Sequence, residues 1–300
     1  MKTCKVEGAV MSSLTVGLLS PGDMGHAVGQ MLIRHGAKVI TCLEGRSERT
    51  RALAQKAGIG DVPSYGDLIR ESDMIISILV PSEAEATAAR VAQAVDGADL
   101  VYVDCNAVAP ATVKRIGEVI TGAGGQMIDA GIIGGPPQEP RTTRFYCSGP
   151  DTSVFMQLNE YGLDVRSVGT EVGQASGFKM CYAAGTKGVT ALQTELLVAA
   201  KALGLYDALI DELGMGNRLV EMERGIPGMP VKAKRWIGEM EEIAKTFGDL
   251  GLTSKMYEGA ADMYRLVSET PLADETPETR DKSRTLAQVV EILDNQRGLE

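Results

Sequence analysis

Three hundred residues, 44% of them hydrophobic, provide for two packed domains, since a single core rarely grows beyond ~250 residues. A formal net charge of −10 with no offsetting basic block opposes a polyanionic partner, which excludes nucleic acid. Five cysteines (Cys4, Cys42, Cys105, Cys147, Cys181) show no C-x-x-C spacing and no apolar run reaches the ~18 residues of a membrane span, so a cytoplasmic protein with no membrane association is expected.

Residues 1–13 contain no signal-peptide core and read as a leader or extension upstream of the first strand. From there, apolar runs of strand length alternate with helical patterns. The spacing predicts strands at Thr15–Leu19, Lys38–Leu43, Met74–Val80, Leu100–Asp104 and Met127–Ala130, with helices at Met24–His35, Ser47–Ala57, Ser82–Val95 and Ala109–Thr121 between them. Such βαβ repetition implies a Rossmann-type, doubly wound parallel sheet. Two edge strands, 144–150 and 163–169, close this part, and the domain boundary falls near Gly169. The pattern then turns all-helical: one long helix over 171–203, shorter ones to Arg224, a loop "GIPGMP", and more helices to the end, with "SETPLADETPETR" a polar break before the last. The expected organisation is a leader (1–13), a dinucleotide-binding domain (14–169) and an all-α substrate-binding and dimerisation domain (170–300).

The chain has two histidines, His26 after the glycine turn and His35 at the end of the same helix, where a cation suits the helix dipole. Metal or triad chemistry needing several histidines is therefore excluded, and no metal site is expected.

The first strand runs into Ser20-Pro21-Gly22-Asp23-Met24-Gly25 and a helix, so G-x-G-x-x-G reads here as S-x-G-x-x-G. Gly22 would let backbone N–H groups approach a pyrophosphate, and Gly25 would let helix and strand pack closely. The motif alone is weak, but its strand–turn–helix context strengthens it. After the second strand, Glu44 could receive a ribose 2′-hydroxyl, whereas Arg46, Ser47 and Arg49 would surround a 2′-phosphate; three phosphate-friendly groups against one acid favour NADP(H) over NAD(H).

In "VGQASGFKMCYAAGTKG", Lys179 shares a helical face with Ser176, Tyr182, Ala183 and Thr186. A lysine among small residues on a mostly apolar helix is expensive to bury, and burial lowers its pKa toward the range of useful acid/base work. Lys187, eight residues on, lies near the same face but too far to share the proton.

The order of these motifs resembles the β-hydroxyacid dehydrogenase superfamily, which includes 3-hydroxyisobutyrate and 6-phosphogluconate dehydrogenases. The resemblance covers nearly all the chain from Leu14. It rests on the turn at Ser20–Gly25, "ILVPS" (78–82), "DAGIIGG" (129–135), where the family has D-A-P-V-S-G-G, and "GQASGFK" ending at Lys179. It implies that Lys179 is the catalytic acid/base, that Leu79, Val80, Pro81 and Asn106 join the turn residues on the cofactor side, and that Ile133, Gly134, Gly135, Tyr182, Ala183, Thr186, Trp236 and Met240 face the substrate. Two departures stand out: the family's carboxylate-holding serine is Ile133 here, and its asparagine four residues after the lysine is Ala183. Arg141 and Arg144 offer alternative anion contacts. The chain is most similar to a branch whose C-terminal domain has no known function.

These features predict an NAD(P)H-dependent oxidoreductase interconverting hydroxyl and carbonyl on a small, partly apolar substrate. An imine reductase on the same scaffold and a nucleotide-sensing protein without turnover are the alternatives. A short-chain dehydrogenase is disfavoured, because Tyr182 to Lys187 is one residue too long for its Tyr-x-x-x-Lys. The glycine-bearing long helix predicts a homodimer.

Overall fold

The computed structural model describes residues 14–138 and 143–297; the leader, Cys4 and Arg141 lie outside the described residues. By their contacts these residues form two compact units, one of residues 14–79, 84–106 and 115–175, the other of 80–83, 107–114 and 176–297.

The first unit is built on β1 (Thr15–Leu19), α1 (Asp23–Arg34), β2 (Lys38–Thr41), α2 (Glu48–Ala57), β3 (Gly60–Asp61), α3 (Tyr65–Arg70), β4 (Met74–Ser77), α4 (Pro81–Gln93), β5 (Val101–Asp104), α5 (Pro110–Gly122), β6 (Gln126–Ile133), β7 (Arg144–Ser148), α6 (Ser153–Met156) and β8 (Val165–Gly169). The eight strands form one sheet in the order β3-β2-β1-β4-β5-β6-β7-β8. The strands from β3 to β6 are parallel, as an apolar β1 and a wholly buried β4 require of a sheet covered on both faces. This is a doubly wound Rossmann sheet, and its strand order reverses between β1 and β4.

The structure corrects the sequence reading at the far end of the sheet. β7 runs antiparallel to β6 and is an interior strand; only β8 is an edge, so the sheet is mixed. The opposite edge, β3, went unseen because its two residues, Gly60 and Asp61, carry no strand propensity. The six-residue α3, capped by Ser64, was likewise too short for periodicity to reveal.

The second unit is helical: α7 (Gln174–Ala183), a π-helical turn (Ala184–Gly188), α8 (Val189–Ala202), α9 (Tyr206–Gly214), α10 (Arg218–Gly225), α11 (Ala233–Asp249), α12 (Lys255–Ser268) and α13 (Leu286–Arg297). The expected helix over 171–203 is thus not uniform, for the π turn interrupts it and its first turn begins at Gln174. "GIPGMP" is not a plain loop but leads into two 3₁₀ turns, Ile226–Gly228 and Pro230–Lys232, each with proline in its first positions. Met180, Leu197, Met240, Ile243, Tyr264 and Val289 are among its core residues. Among the described residues no helix is long and apolar enough to cross a membrane.

Two buried acids sit side by side in the first unit, since Asp104 on β5 and Asp129 on β6 are register partners. Burial pushes Asp104 up to about 7, against the hydrogen bonds it accepts from Asn106 and with Asp129 adding to the rise. Between the ordinary carboxylate pKa and about 7, the folded chain holds a proton that the unfolded chain releases, so this contribution to stability is complete at low pH and is lost as pH rises through about 7. The urea midpoint should therefore fall between about pH 5 and pH 8, and Asp104→Asn, which cannot ionise, should flatten that fall; an equal slope in the variant would exclude Asp104 as its source.

Candidate active site

In the first unit the carboxyl ends of β1 and β4 meet at the reversal of strand order, where doubly wound sheets open a crevice. Ser20 takes the left-handed conformation, φ 60°, that a first glycine would adopt without cost. Its carbonyl accepts from Gly22 N at 2.7 Å, closing the turn. Gly22 caps α1 with no side-chain hydrogen bond, and a Cβ there would meet nothing within 4 Å, so the N-terminal N–H groups of α1 are open to an approaching phosphate. A Cβ on Gly25 would lie 2.6 Å from the Ser20 carbonyl oxygen, which explains glycine at that step. Pro21 is buried, while Asp23 and Met24 are half-buried beside it. His26 donates from Nδ1 to the Gly22 carbonyl at 2.7 Å and so braces the turn. His35 serves as the C-cap of α1, its Nδ1 donating to the Met31 carbonyl.

The loop after β2 is occupied differently from the sequence reading. Glu44 and Ser47 are exposed and Arg46 is half-buried, with a 3.5 Å contact to the Tyr65 hydroxyl. The Ser47 hydroxyl is spent as the N-cap of α2, accepting from Thr50 N at 3.2 Å, and Arg49 is paired with Asp23 at 2.5 Å. Of the three phosphate-friendly groups, Ser47 is taken by a cap and Arg49 by an ion pair, while Arg46, among the described residues, meets the Tyr65 hydroxyl. Arg51, which the sequence did not single out, braces the loop by donating to the Leu43 carbonyl at 2.6 Å and to that of Arg46 at 3.3 Å.

Asn106 is a bracket rather than an open donor. Its Oδ1 accepts from Leu79 N at 2.6 Å, and its Nδ2 donates to Ser77 Oγ at 3.0 Å and Asp104 Oδ2 at 2.8 Å. With its amide consumed and only 2% exposed, Asn106 acts by fixing the backbone of Leu79 instead of touching a cofactor itself, which corrects the expected role. Leu79 groups with the first unit, whereas Val80, 42% exposed, and Pro81 group with the second.

At the end of β6 the Ile133 side chain is buried, 2% exposed, and the exposed groups are the backbones of Gly134 and Gly135. Ile133 is therefore a packing residue, and what the stretch exposes is main chain. Gly135 is held by the Thr143 hydroxyl, which donates to its carbonyl at 2.6 Å. Arg144, the register partner of Ile133, has a buried Nε with no hydrogen-bond partner among the described residues.

In the second unit Lys179 is half-buried on α7, at the border between a buried row (Ser176, Met180, Ala183) and an exposed one (Phe178, Tyr182). Burial and, after it, the guanidinium of Arg235 lower its pKa to about 8. The expected shared face therefore divides. Ala183 packs in the core, Tyr182 is 44% exposed, and the Thr186 hydroxyl is turned back onto the helix, donating to the Tyr182 carbonyl at 3.1 Å. Met240 is fully buried in the helical core and is not a surface for substrate.

Lys187 departs most from expectation. It lies within the π turn, close enough to Lys179 to feel its charge. Its ammonium contacts the buried Glu239 carboxylate and lies 5.3 Å from the centre of the Trp236 ring. It is not the idle neighbour that spacing suggested. Burial and then the nearby cations Lys179, Arg235 and Lys232 pull its pKa down, while the Glu239 carboxylate favours retention of its proton.

The fold and these groups define a class: a dinucleotide-binding sheet joined to a helical unit that offers a lysine of lowered pKa. Residues 15–160 match the NAD binding domain of 6-phosphogluconate dehydrogenase, and residues 200–267 match a domain of unknown function (DUF1932). This pair places the chain in the superfamily, and in the branch, that its motifs resemble, with a nicotinamide dinucleotide as cofactor. Among curated relatives, an uncharacterized 28.5 kDa protein of Methanothermus fervidus is 29% identical over 85% of this chain and all of its own length. Among solved structures, MTH1747, a conserved protein of unknown function described as similar to 3-hydroxyacid dehydrogenases, is 28% identical with a TM-score of 0.64, covering 85% of this chain and 97% of that one. The fold is shared with the 3-hydroxyisobutyrate dehydrogenase of Mycobacterium tuberculosis (16% identity, TM-score 0.65, 94% and 99% covered) and an imine reductase from Pseudomonas sp. (18%, 0.52, 86% and 94%).

Proposed function

We propose that this chain is an NADP(H)-preferring dehydrogenase or reductase that interconverts a hydroxyl and a carbonyl on a small, partly apolar substrate, with Lys179 as the acid/base. The observation that carries the reading is the half-buried Lys179, its pKa lowered to about 8, in a chain whose residues 15–160 match an NAD binding domain. When bound, the nicotinamide supplies or accepts the hydride. The first unit's residues hold it: the α1 N-terminus and Gly22 take the pyrophosphate, Gly25 keeps the turn close, and Arg46 takes a 2′-phosphate. Lys179 gives a proton to the substrate oxygen during reduction and removes it during oxidation. In this reading residues 14–169 carry the cofactor and residues 170–300 the substrate and the dimer contact.

Imine reduction is the second reading, since it needs the same hydride and only a proton donor near the C=N; a solved imine reductase shares the fold. A nucleotide sensor without turnover would leave the lowered pKa of Lys179 without a use. NADPH consumption against a panel of aldehydes, ketones, keto acids and cyclic imines separates the three.

A homodimer is supported by large apolar side chains exposed on α7 and α8: Phe178 and Tyr182 before the π turn, Val189 and Leu192 after it, Leu192 by 61%. Light scattering at micromolar concentration should give twice the chain mass, and Leu192→Glu should shift it toward one; a monomeric wild type would refute the dimer.

Cofactor choice is tested at Arg46, which meets the uncharged Tyr65 hydroxyl, whereas Arg49 pairs with the Asp23 carboxylate. Arg46→Ala should weaken NADPH binding by roughly 1 to 3 kcal/mol, the worth of a charge-assisted hydrogen bond, and leave NADH nearly unchanged. Equal losses for both would remove the preference.

For the acid/base, Lys179→Ala should lower kcat at least ~100-fold while the NADPH dissociation constant stays within about a factor of three. Lys201, which is paired with Glu291, is the control and should keep near-normal turnover when replaced by alanine. In the wild type, reduction should slow above about pH 8 as the ammonium is lost, and oxidation should quicken over the same range. Normal turnover in Lys179→Ala would move the proton to another donor and put imine reduction ahead.

A further inference from the structure

The helical unit of an acidic chain gathers cations around one aromatic ring. Lys187 and Lys232 lie 5.3 and 5.7 Å from the centre of the Trp236 ring, within cation–π range. Arg235 pairs with Glu239 at 3.3 Å, and the same buried carboxylate contacts Lys187. Lys179 and Arg280 stand close enough to act electrostatically on Lys187 and Lys232 respectively. One carboxylate thus serves a group of cations, and burial and mutual repulsion pull both Lys187 and Lys232 below the usual lysine range.

The hydrogen-bonding capacity is equally one-sided. Trp236 Nε1, which can only donate, is buried with no acceptor among the described residues. Lys187 carries three donors and is 15% exposed, and among the described residues its ammonium meets the Glu239 carboxylate. Buried donors without acceptors cost free energy that an oxygen-rich ligand would restore.

The arrangement is built, not incidental. Lys187 sits in the π turn, where the Tyr264 hydroxyl donates to its carbonyl at 2.6 Å. The Tyr264 ring packs edge-on against Trp236 at 5.3 Å, so tyrosine holds both the turn and the indole.

We propose that Lys187, Lys232 and the Trp236 indole N–H form an anion subsite that anchors a carboxylate or phosphate group of the substrate on the Lys179 face. This rests on the reading of the helical unit as the substrate side, and it adds a charged end to the partly apolar substrate proposed above. It also supplies an anchor in a chain where Ile133 and Ala183 are apolar and buried.

Trp236 is the single tryptophan of the chain, so its fluorescence reports the subsite directly, without cofactor or turnover. The full chain is titrated at about pH 6.5 with inorganic phosphate, with malonate, and with chloride at matched ionic strength. The expected result is a saturable change with phosphate or malonate and none with chloride, the tighter anion identifying the group. Lys232→Ala should weaken that binding at least about threefold. Replacing the ion pair by an apolar pair, Lys187→Met with Glu239→Met, should weaken it at least about tenfold while leaving no buried carboxylate unpaired. Circular dichroism verifies that each variant is folded, and Lys232→Ala, at an exposed position, serves alone if the double variant is not. The absence of a saturable change in the wild type, or wild-type affinity in folded Lys232→Ala, overturns the subsite. Anion binding without reduction of any carbonyl or imine would uphold the subsite and remove the oxidoreductase reading. If a substrate is found, and uncharged compounds surpass their carboxylated or phosphorylated analogues in kcat/KM, the subsite is overturned and the oxidoreductase reading survives.

Discussion

The chemistry of the helical unit depends on one hydrogen bond, from the Tyr264 hydroxyl to the carbonyl of Lys187 inside the π turn. A π turn weakens the regular backbone ladder, and such turns persist where tertiary contacts hold them. Here α12 supplies the contact through a fully buried tyrosine. The consequence is a fixed place for Lys187, whose ammonium is drawn to a buried carboxylate on α11. A buried lysine–glutamate pair is costly to desolvate and gives little net stability, so its worth lies in fixing where the ammonium stands.

In the Rossmann unit the equivalent constraint is the turn after β1. Serine in the left-handed region bears a strain that glycine would not, and the surroundings supply what keeps it there: the Gly22 N–H on its carbonyl, the buried Pro21, and the close approach of Gly25. The altered motif therefore preserves the backbone path of a dinucleotide turn. Beside it, the Asn106 amide ties β4 to β5 and sets the backbone at Leu79, so the crevice at the reversal of strand order is shaped from below by buried polar groups.

The buried polar groups also explain where site residues were misread. Residue type told which side chains could bind a ligand, but not which had already been spent. Ser47 and Asn106 look like ligand contacts by type and position, and the fold uses both internally. The family resemblance implies that Ile133 and Met240 face the substrate, whereas each is packed away from solvent. Arg51 and Glu239 carry no local signal, since the one braces a loop eight residues back and the other meets Lys187 across 52 positions.

By itself the sequence determined the alternation of strands and helices from Thr15 to Asp104, the change to an all-helical half, the glycine turn, and the singular lysine at 179. All of these are carried by periodicities of two and 3.6 residues or by local steric requirements, which neighbours in the chain suffice to set. Tertiary structure alone decided the antiparallel entry of β7, the two-residue β3, the π turn, and the burial of Lys187 against Glu239 and Trp236. Each of those depends on partners distant in sequence, and no local propensity announces a hydrogen bond or a charge that will arrive from another helix.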